Sequence, residues 1–338
     1  MRLFGHRVVL SRTAVTAGAL SAVMAVTGMV AGNAWSQANY PSKPVRIIIP
    51  AGPGGVTDLQ VRLAASKLSK SLGQQFLVEN RPGAGTTLGT GLVAKASPDG
   101  YTLLGMTGSF TTASVTYAKL PYDPVNDLVP VSQFTMMPNI LVVHPSVPVR
   151  NVKEFIAYAR ANPGKLNWGT TGNGTLAHLA GVWLEKLIGA QMTQVPYKDI
   201  AGEISDLVQG RLDITIATPS NVLGHVKAGR LRGLGWTSAT RSRMLPDLPT
   251  VAEQGIPEFV VVAMMGFWAP KGTPESIVNK LSASLKEAAR DPDITARLTA
   301  DGTELVGSTP AEFKKIVVSE IDRWGRLVKE SGMKLMSE

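Results

Sequence analysis

Apolar and polar positions along this chain switch repeatedly between two spacings, and the switches mark out alternating strands and helices. Val45, Ile47, Ile48 and Ile49 form a short apolar run ending at Pro50, the pattern of a strand buried in a sheet. The next apolar positions, Val61, Ala64, Ala65, Leu68 and Leu72, recur at helical spacing. They predict a helix that begins near Thr57 and stops at Gly73. Phe76 to Val78 predicts a second strand and Thr87 to Lys95 a second helix. A Ser97–Gly100 turn then leads into a strand over Tyr101 to Met106.

Further on, Val129 to Val143 is a long strand-like run interrupted by Met136-Met137-Pro138. Asn151 with Glu154 signals a helix start, and Asn162-Pro163-Gly164 its end. Leu176, Leu179, Ala180, Trp183, Leu184, Leu187 and Ile188 make the clearest amphipathic face, which assigns Trp183 to a core. Leu212 to Ala217 and Leu231 to Thr237 read as strands, and Phe259 to Trp268 as a second long apolar crossing. The last helix opens at Thr309-Pro310-Ala311-Glu312, with a cap, an early proline and a Glu at the third position.

This order predicts an α/β fold of two lobes, each a mostly parallel sheet flanked by helices. The two long crossings bracket a central block. Residues 39–138 are therefore expected to form lobe one, completed by 265–338, and residues 139–264 to form lobe two. Hinges are expected near Met136 to Asn139 and Met264 to Gly266.

The N-terminus changes the picture of where the chain works. Arg2, Arg7 and Arg12 precede a small, apolar stretch from Thr13 to about Ala31, and Ser36-Gln37-Ala38 offers a signal-peptidase site. Cleavage after Ala38 is expected, with residues 1–38 as signal peptide; an uncleaved anchor is the alternative. Cleavage removes three arginines and no acid, taking the net charge from +9 to +6. The remaining basic residues are scattered without interleaved aromatics, which argues against nucleic acid. Cysteine is absent, so disulfides, thiolate metal sites and a lipidated N-terminal Cys are excluded. An exported, cysteine-free chain suits a Gram-negative periplasm.

The candidate chemistry lies in glycine-rich turns that join strands to helices: Pro50 to Asp58, Asn80 to Gly89, and Gly169 to Thr175. Such turns aim free N–H groups and a helix N-terminus at one place, which suits an anion. Taken singly, each glycine can also simply serve a tight turn. A different reading uses Gly83, Gly85 and Gly89 as a GxGxxxG dinucleotide turn of an NAD(P)-dependent oxidoreductase. That reading needs an acid or arginine after the next strand, where Thr107-Gly108-Ser109 stands. A hydrolase would need more than His178 and Ser109, since no GxSxG elbow occurs. His144, His178 and His225 lack metal-ligand spacing, and His6 goes with the signal. No catalytic group, cofactor or metal is expected. Trp168, just before the third turn, could line a cleft or pack. Asp213 reads as a solvated turn residue, and Arg241 and Arg243 as a surface loop.

Eleven segments, in order, resemble the tripartite tricarboxylate transporter substrate-binding proteins, the Bug family of periplasmic receptors. They are YPSKPVRIIIP, PGGVTD with Arg62 after it, VENRPGAG, SPDGYTLL, LPYDPVNDLVPVS, HLAG, VPYK, DLVQGRLD, KAGRLRGLG, LPDLPTVAEQGIPEF and APKGTP. The resemblance spans about Tyr40 to Glu330. It implies a periplasmic two-lobed Venus-flytrap receptor, expected to act as a monomer. Such a receptor traps a small organic carboxylate and delivers it to a membrane permease. It also implies ligand contacts at Gly54, Gly55, Thr57, Asp58, Gly83, Ala84 and Gly85 in lobe one. In lobe two the implied contacts are Thr170, Gly172, Gly174, Thr175 and His178, with Tyr197 nearby. Thr107 and Ser109 complete the candidate set together with Ala51, Thr86 and Asp199. The last three depart from the family's usual residues: Ala51-Gly52 replaces an aromatic and proline, Thr86-Thr87 replaces Gly-Asn, and Asp199-Ile200 replaces Gly-Gly. The small Ala51 implies a wider pocket, open to dicarboxylic or aromatic acids.

Overall fold

The computed structural model describes residues 39–172, 174–299 and 302–336. The expected signal peptide, with its cleavage site after Ala38, lies outside the described residues. Every element below belongs to one compact unit, residues 43–338. Among the described residues, no helix is long and apolar enough to cross a membrane.

The first elements follow the predicted order, β1 (Val45–Ile49), α1 (Val56–Leu72), β2 (Phe76–Asn80), α2 (Thr87–Ala94) and β3 (Thr102–Thr107), and a helix the sequence did not predict, α3 (Ser109–Thr116), comes after β3. Val61, Ala64, Ala65 and Leu68 are the buried face of α1, and Gly73 ends it at φ 72°, a left-handed cap that costs glycine nothing. β4 (Leu128–Pro138) and β5 (Ile140–Val143) come next, then α4 (Val152–Ala161), β6 (Asn167–Thr170), α5 (Leu176–Ile188), β7 (Thr193–Pro196), α6 (Ile200–Val208), β8 (Ile214–Ala217), α7 (Pro219–Lys227) and β9 (Arg232–Trp236). The chain ends with β10 (Val262–Pro270), α8 (Glu275–Ala288), α9 (Pro292–Leu298), β11 (Glu304–Leu305) and α10 (Pro310–Ser331).

Two sheets result, in the orders β11-β4-β10-β3-β1-β2 and β7-β6-β8-β5-β9. Both are mixed rather than mostly parallel. β1 runs parallel to β2 and β3, and β6 runs parallel to β7 and β8. The strands that run against the rest are β10 and β11 in the first sheet and β5 in the second. The reason is topological: β4 leads the chain out of lobe one and β10 brings it back, so the two neighbours point in opposite directions.

The first crossing is Asn139, close to its expected place. The second differs from the expectation at Met264 to Gly266. Those residues lie inside β10, bonded to β3 on one side and β4 on the other. The chain instead re-enters through Val260 and Val261. Thr237, fully buried at the end of β9, joins both crossings. Its hydroxyl accepts from Asn139 N–H at 3.0 Å, and its own N–H donates to Asn139 O at 2.9 Å. Val261 N–H donates to Thr237 O at 2.8 Å, and the hydroxyl donates to Val261 O.

α10 is a third link. Phe313 and Val317 sit in the core of lobe one with Trp268, Phe110 and Leu104. Trp324, Leu327 and Val328, further along the same helix, sit in the core of lobe two with Trp183 and Phe259. Trp183 stands edge-on to Trp324 at 5.5 Å between centroids. Arg323 lies over both rings, 4.6 and 4.3 Å from their centroids, and donates to Val260 O at 2.7 Å.

Candidate functional site

β1, β2 and β3 are parallel neighbours, so the loops that follow them emerge along one edge of the first sheet. Gly54 turns at φ 84° and Gly55 is the N-cap of α1, without a side-chain cap. Asp58, 6 % exposed, holds this loop from inside. Its carboxylate accepts from Gly54 N–H at 3.0 Å, Arg62 Nε at 2.9 Å and Asn80 Nδ2 at 3.0 Å. The hydrogen bond from Arg62, followed by those from Gly54 and Asn80, outweighs burial and pushes its pKa down to about 2. Asn80 Nδ2 also donates to Ala51 O at 3.0 Å, which ties the first loop to the second.

The second loop holds three successive residues in left-handed backbone: Ala84 at φ 45°, Gly85 at 57° and Thr86 at 84°. Two of the three are not glycine. Such positions cost about 1–2 kcal/mol each and persist where surrounding structure imposes them, often at functional sites. Thr86 Oγ1 is buried without a partner among the described residues. At Gly85 there is no space for a side chain, because a Cβ would lie 1.9 Å from the Tyr117 hydroxyl oxygen. In the third loop, Thr107 Oγ1 and Ser109 Oγ stand 2.9 Å apart, and Gly108 caps α3 through its backbone only.

The helix starts in these three loops share one property. α4, α5, α6, α9 and α10 are capped by the side chains of Asn151, Thr175, Asp199, Asp291 and Thr309. α1, α2 and α3 have no side-chain cap. α7 and α8 also lack one, but each has a proline at or beside its cap, where a donor is missing anyway. Among the described residues, the first-turn amides of α1 at Val56 and Thr57 and of α3 at Ser109 and Phe110 are left unpaired. The first loop is exposed from Gly52 to Val56, and the second from Arg81 to Gly85.

In lobe two, β6, β7 and β8 are parallel and likewise deliver their loops to one edge. Thr170, Gly172, Gly174, Thr175 and His178 form one loop–helix junction there. Its polar tips are already engaged. Thr175 Oγ1 accepts from His178 N–H at 3.2 Å and donates to Gly172 O at 2.8 Å. His178 is buried, stacked on Trp168 at 6.1 Å, and its Nδ1 accepts from Gly174 N–H at 3.2 Å. Burial lowers its pKa, against a hydrogen bond with Gln194. Tyr197 OH donates to Asp206 at 3.1 Å, and Asp199 accepts from Gly202 N–H at 2.8 Å as the cap of α6.

Trp168, which the sequence left open between cleft and core, is buried and packs. Other residues take roles the sequence did not signal. Asp213 is no solvated turn residue: it accepts from Asn167 N–H at 2.7 Å and Nδ2 at 3.0 Å, pinning β6 beside β8. Tyr117 and the C-terminal tail have no local motif, yet they meet the loops of both lobes. Met336 N–H donates to Thr116 O at 2.7 Å and Ala118 N–H to Met336 O at 3.0 Å. At Gly174 a Cβ would lie 2.7 Å from the end of the Met336 side chain and 3.4 Å from Thr116 Cβ.

Two α/β lobes joined by strand crossings, with exposed, glycine-rich loops at the strand ends of the first sheet, define a solute-binding protein of the periplasmic type. Residues 60–333 match the sequence model of the tripartite tricarboxylate transporter family receptor, and the chain belongs to that family. It is 36 % identical over 299 residues to Protein BugT of Bordetella pertussis, covering 88 % of this chain and 91 % of BugT. Two solved structures are similar over their whole length. Rpa4515 of R. palustris, with adipate, is 34 % identical with a TM-score of 0.69, covering 88 % of this chain and 100 % of that one. MatC (Rpa3494) of Rhodopseudomonas palustris, with bound malate, is 33 % identical with a TM-score of 0.67, covering 86 % and 100 %. The family is one of solute receptors rather than enzymes.

Proposed function

We propose that this receptor works in the periplasm, captures a small organic dicarboxylate between its lobes and passes it to a tripartite-type permease. The observation that carries the reading is the set of uncapped helix starts at α1, α2 and α3, brought to one sheet edge while five other helices have side-chain caps. The adipate and malate held by the two relatives support the ligand class.

The chemistry is sufficient without an arginine clamp. Arg62 is paired with Asp58, and Arg81 with Glu79 at 2.6 Å. A hydrogen bond to a charged group contributes about 1.5–3 kcal/mol, and a helix N-terminus about 0.3–1 kcal/mol. Micromolar affinity corresponds to about −8 kcal/mol. Four amides and two helix ends reach that figure with a margin for the entropy lost on binding. In lobe two, Thr175 and His178 act by holding the loop at Gly172 and Gly174, and closure brings that loop's backbone to the ligand. Asn139, Thr237 and Val261 form the hinge.

A thermal-shift and calorimetric panel of adipate, malate, hexanoate, an aromatic acid and NAD(H) tests this. A true ligand at a hundredfold its Kd adds about 2.7 kcal/mol of stability. A dicarboxylate should do so. A response to NAD(H) alone would transfer the glycine turn to the oxidoreductase reading.

A further inference from the structure

We infer that Tyr117 is a ligand-contacting, specificity-determining residue of the cleft, its phenol donating a hydrogen bond to a carboxylate oxygen of the bound acid. The inference rests on the receptor reading above and extends it to a residue outside the glycine-rich loops. Tyr117 follows α3 directly and is half-buried. Its hydroxyl occupies the space where a side chain at position 85 would stand, beside the left-handed Ala84–Thr86 turn that leads into α2. Among the described residues that hydroxyl has no hydrogen-bond partner. Its backbone pairs with Met336, and Met336 and Thr116 together rest on Gly174 of the lobe-two loop. The phenol therefore stands where a loop of each lobe converges on the same segment. It is a neutral donor at the edge of an amide-rich, uncapped helix start, which is the chemistry an anionic oxygen accepts.

The geometry also accounts for Gly85. The left-handed φ admits glycine readily, but Ala84 and Thr86 show that this turn tolerates other residues at positive φ. What excludes a side chain at 85 is the phenol itself.

The experiment is calorimetric titration of purified wild-type, Y117F, G85A and double-variant protein with adipate, malate and hexanoate, alongside thermal unfolding without ligand. Y117F should bind the preferred acid about tenfold more weakly, or about 1.4 kcal/mol, with its unliganded melting temperature little changed. G85A displaces the phenol and should also bind weakly. The double variant should lose less than the product of the single losses, because both substitutions act through one hydroxyl. Unaltered affinity in Y117F, with or without a lower melting temperature, overturns the inference and leaves the receptor reading intact. Wild-type protein that binds none of the three acids removes the receptor reading and this inference with it.

Discussion

Replacing Asp58 by Asn probes the interior support of the first loop. The carboxylate accepts three hydrogen bonds, two of them at Oδ2, whereas an amide has one acceptor atom and must turn its NH2 toward a donor. The drop in pKa from 3.8 to about 2 corresponds to about 2.4 kcal/mol in favour of the ionised form. The Arg62 side chain is 49 % exposed, so solvent screens part of this, and a loss of about 1–2 kcal/mol at pH 7 is expected. Because the folded-state pKa lies below the unfolded value, the contribution is complete above about pH 5 and fades as pH falls toward 2. Urea denaturation of wild-type and D58N protein from pH 7 down to pH 3 measures it. The stability gap should narrow through the acid range, and adipate should bind D58N more weakly because Gly54 is released. Equal stability at pH 7, or a gap unchanged by acid, would refute the reasoning.

Three further outcomes follow from the same geometry. Thr237→Val leaves the buried Asn139 N–H without its acceptor and should cost about 1–3 kcal/mol in denaturant unfolding, while Thr237→Ser should restore most of it. His178 has a lowered folded-state pKa, so its contribution is present above the unfolded value of about 6.5 and shrinks as pH falls below it. Unfolding at pH 7.5 and 5.5 should show that loss in wild-type protein and a smaller slope in H178N. Gly181→Ala places a methyl 2.2 Å from the Trp168 ring. It should lower stability by about 1–3 kcal/mol and alter the near-ultraviolet circular dichroism of that tryptophan.

Elements with local signals were legible in the sequence. The helical spacing and Gly73 set α1, and the Thr309–Glu312 capping box is present at the start of α10. α3 was not legible, because SFTTASVT has no apolar stripe and reads as a polar loop. It is buried all the same, since Thr111, Thr112, Ser114 and Thr116 turn their hydroxyls back to carbonyls of their own segment, which removes most of the cost of burying them. The three glycine-rich turns were found because backbone freedom leaves a compositional mark. What those turns touch left none. Tyr117 and Met336 reach the loops only through tertiary packing, and the engagement of Thr175, Tyr197 and Asp199 within lobe two depends on neighbours that spacing does not reveal. The second crossing was misplaced for a related reason: Phe259 to Trp268 is continuously apolar, but only Val262 onward finds a sheet partner.

The central claim is that main-chain donors at the starts of α1 and α3 hold the acid. Amide-resolved NMR during titration with adipate, or whichever acid the panel selects, tests it most directly. The account predicts that the Val56, Thr57, Ser109 and Phe110 amide signals move furthest and saturate with the calorimetric Kd. Those four signals staying fixed while others saturate would contradict it.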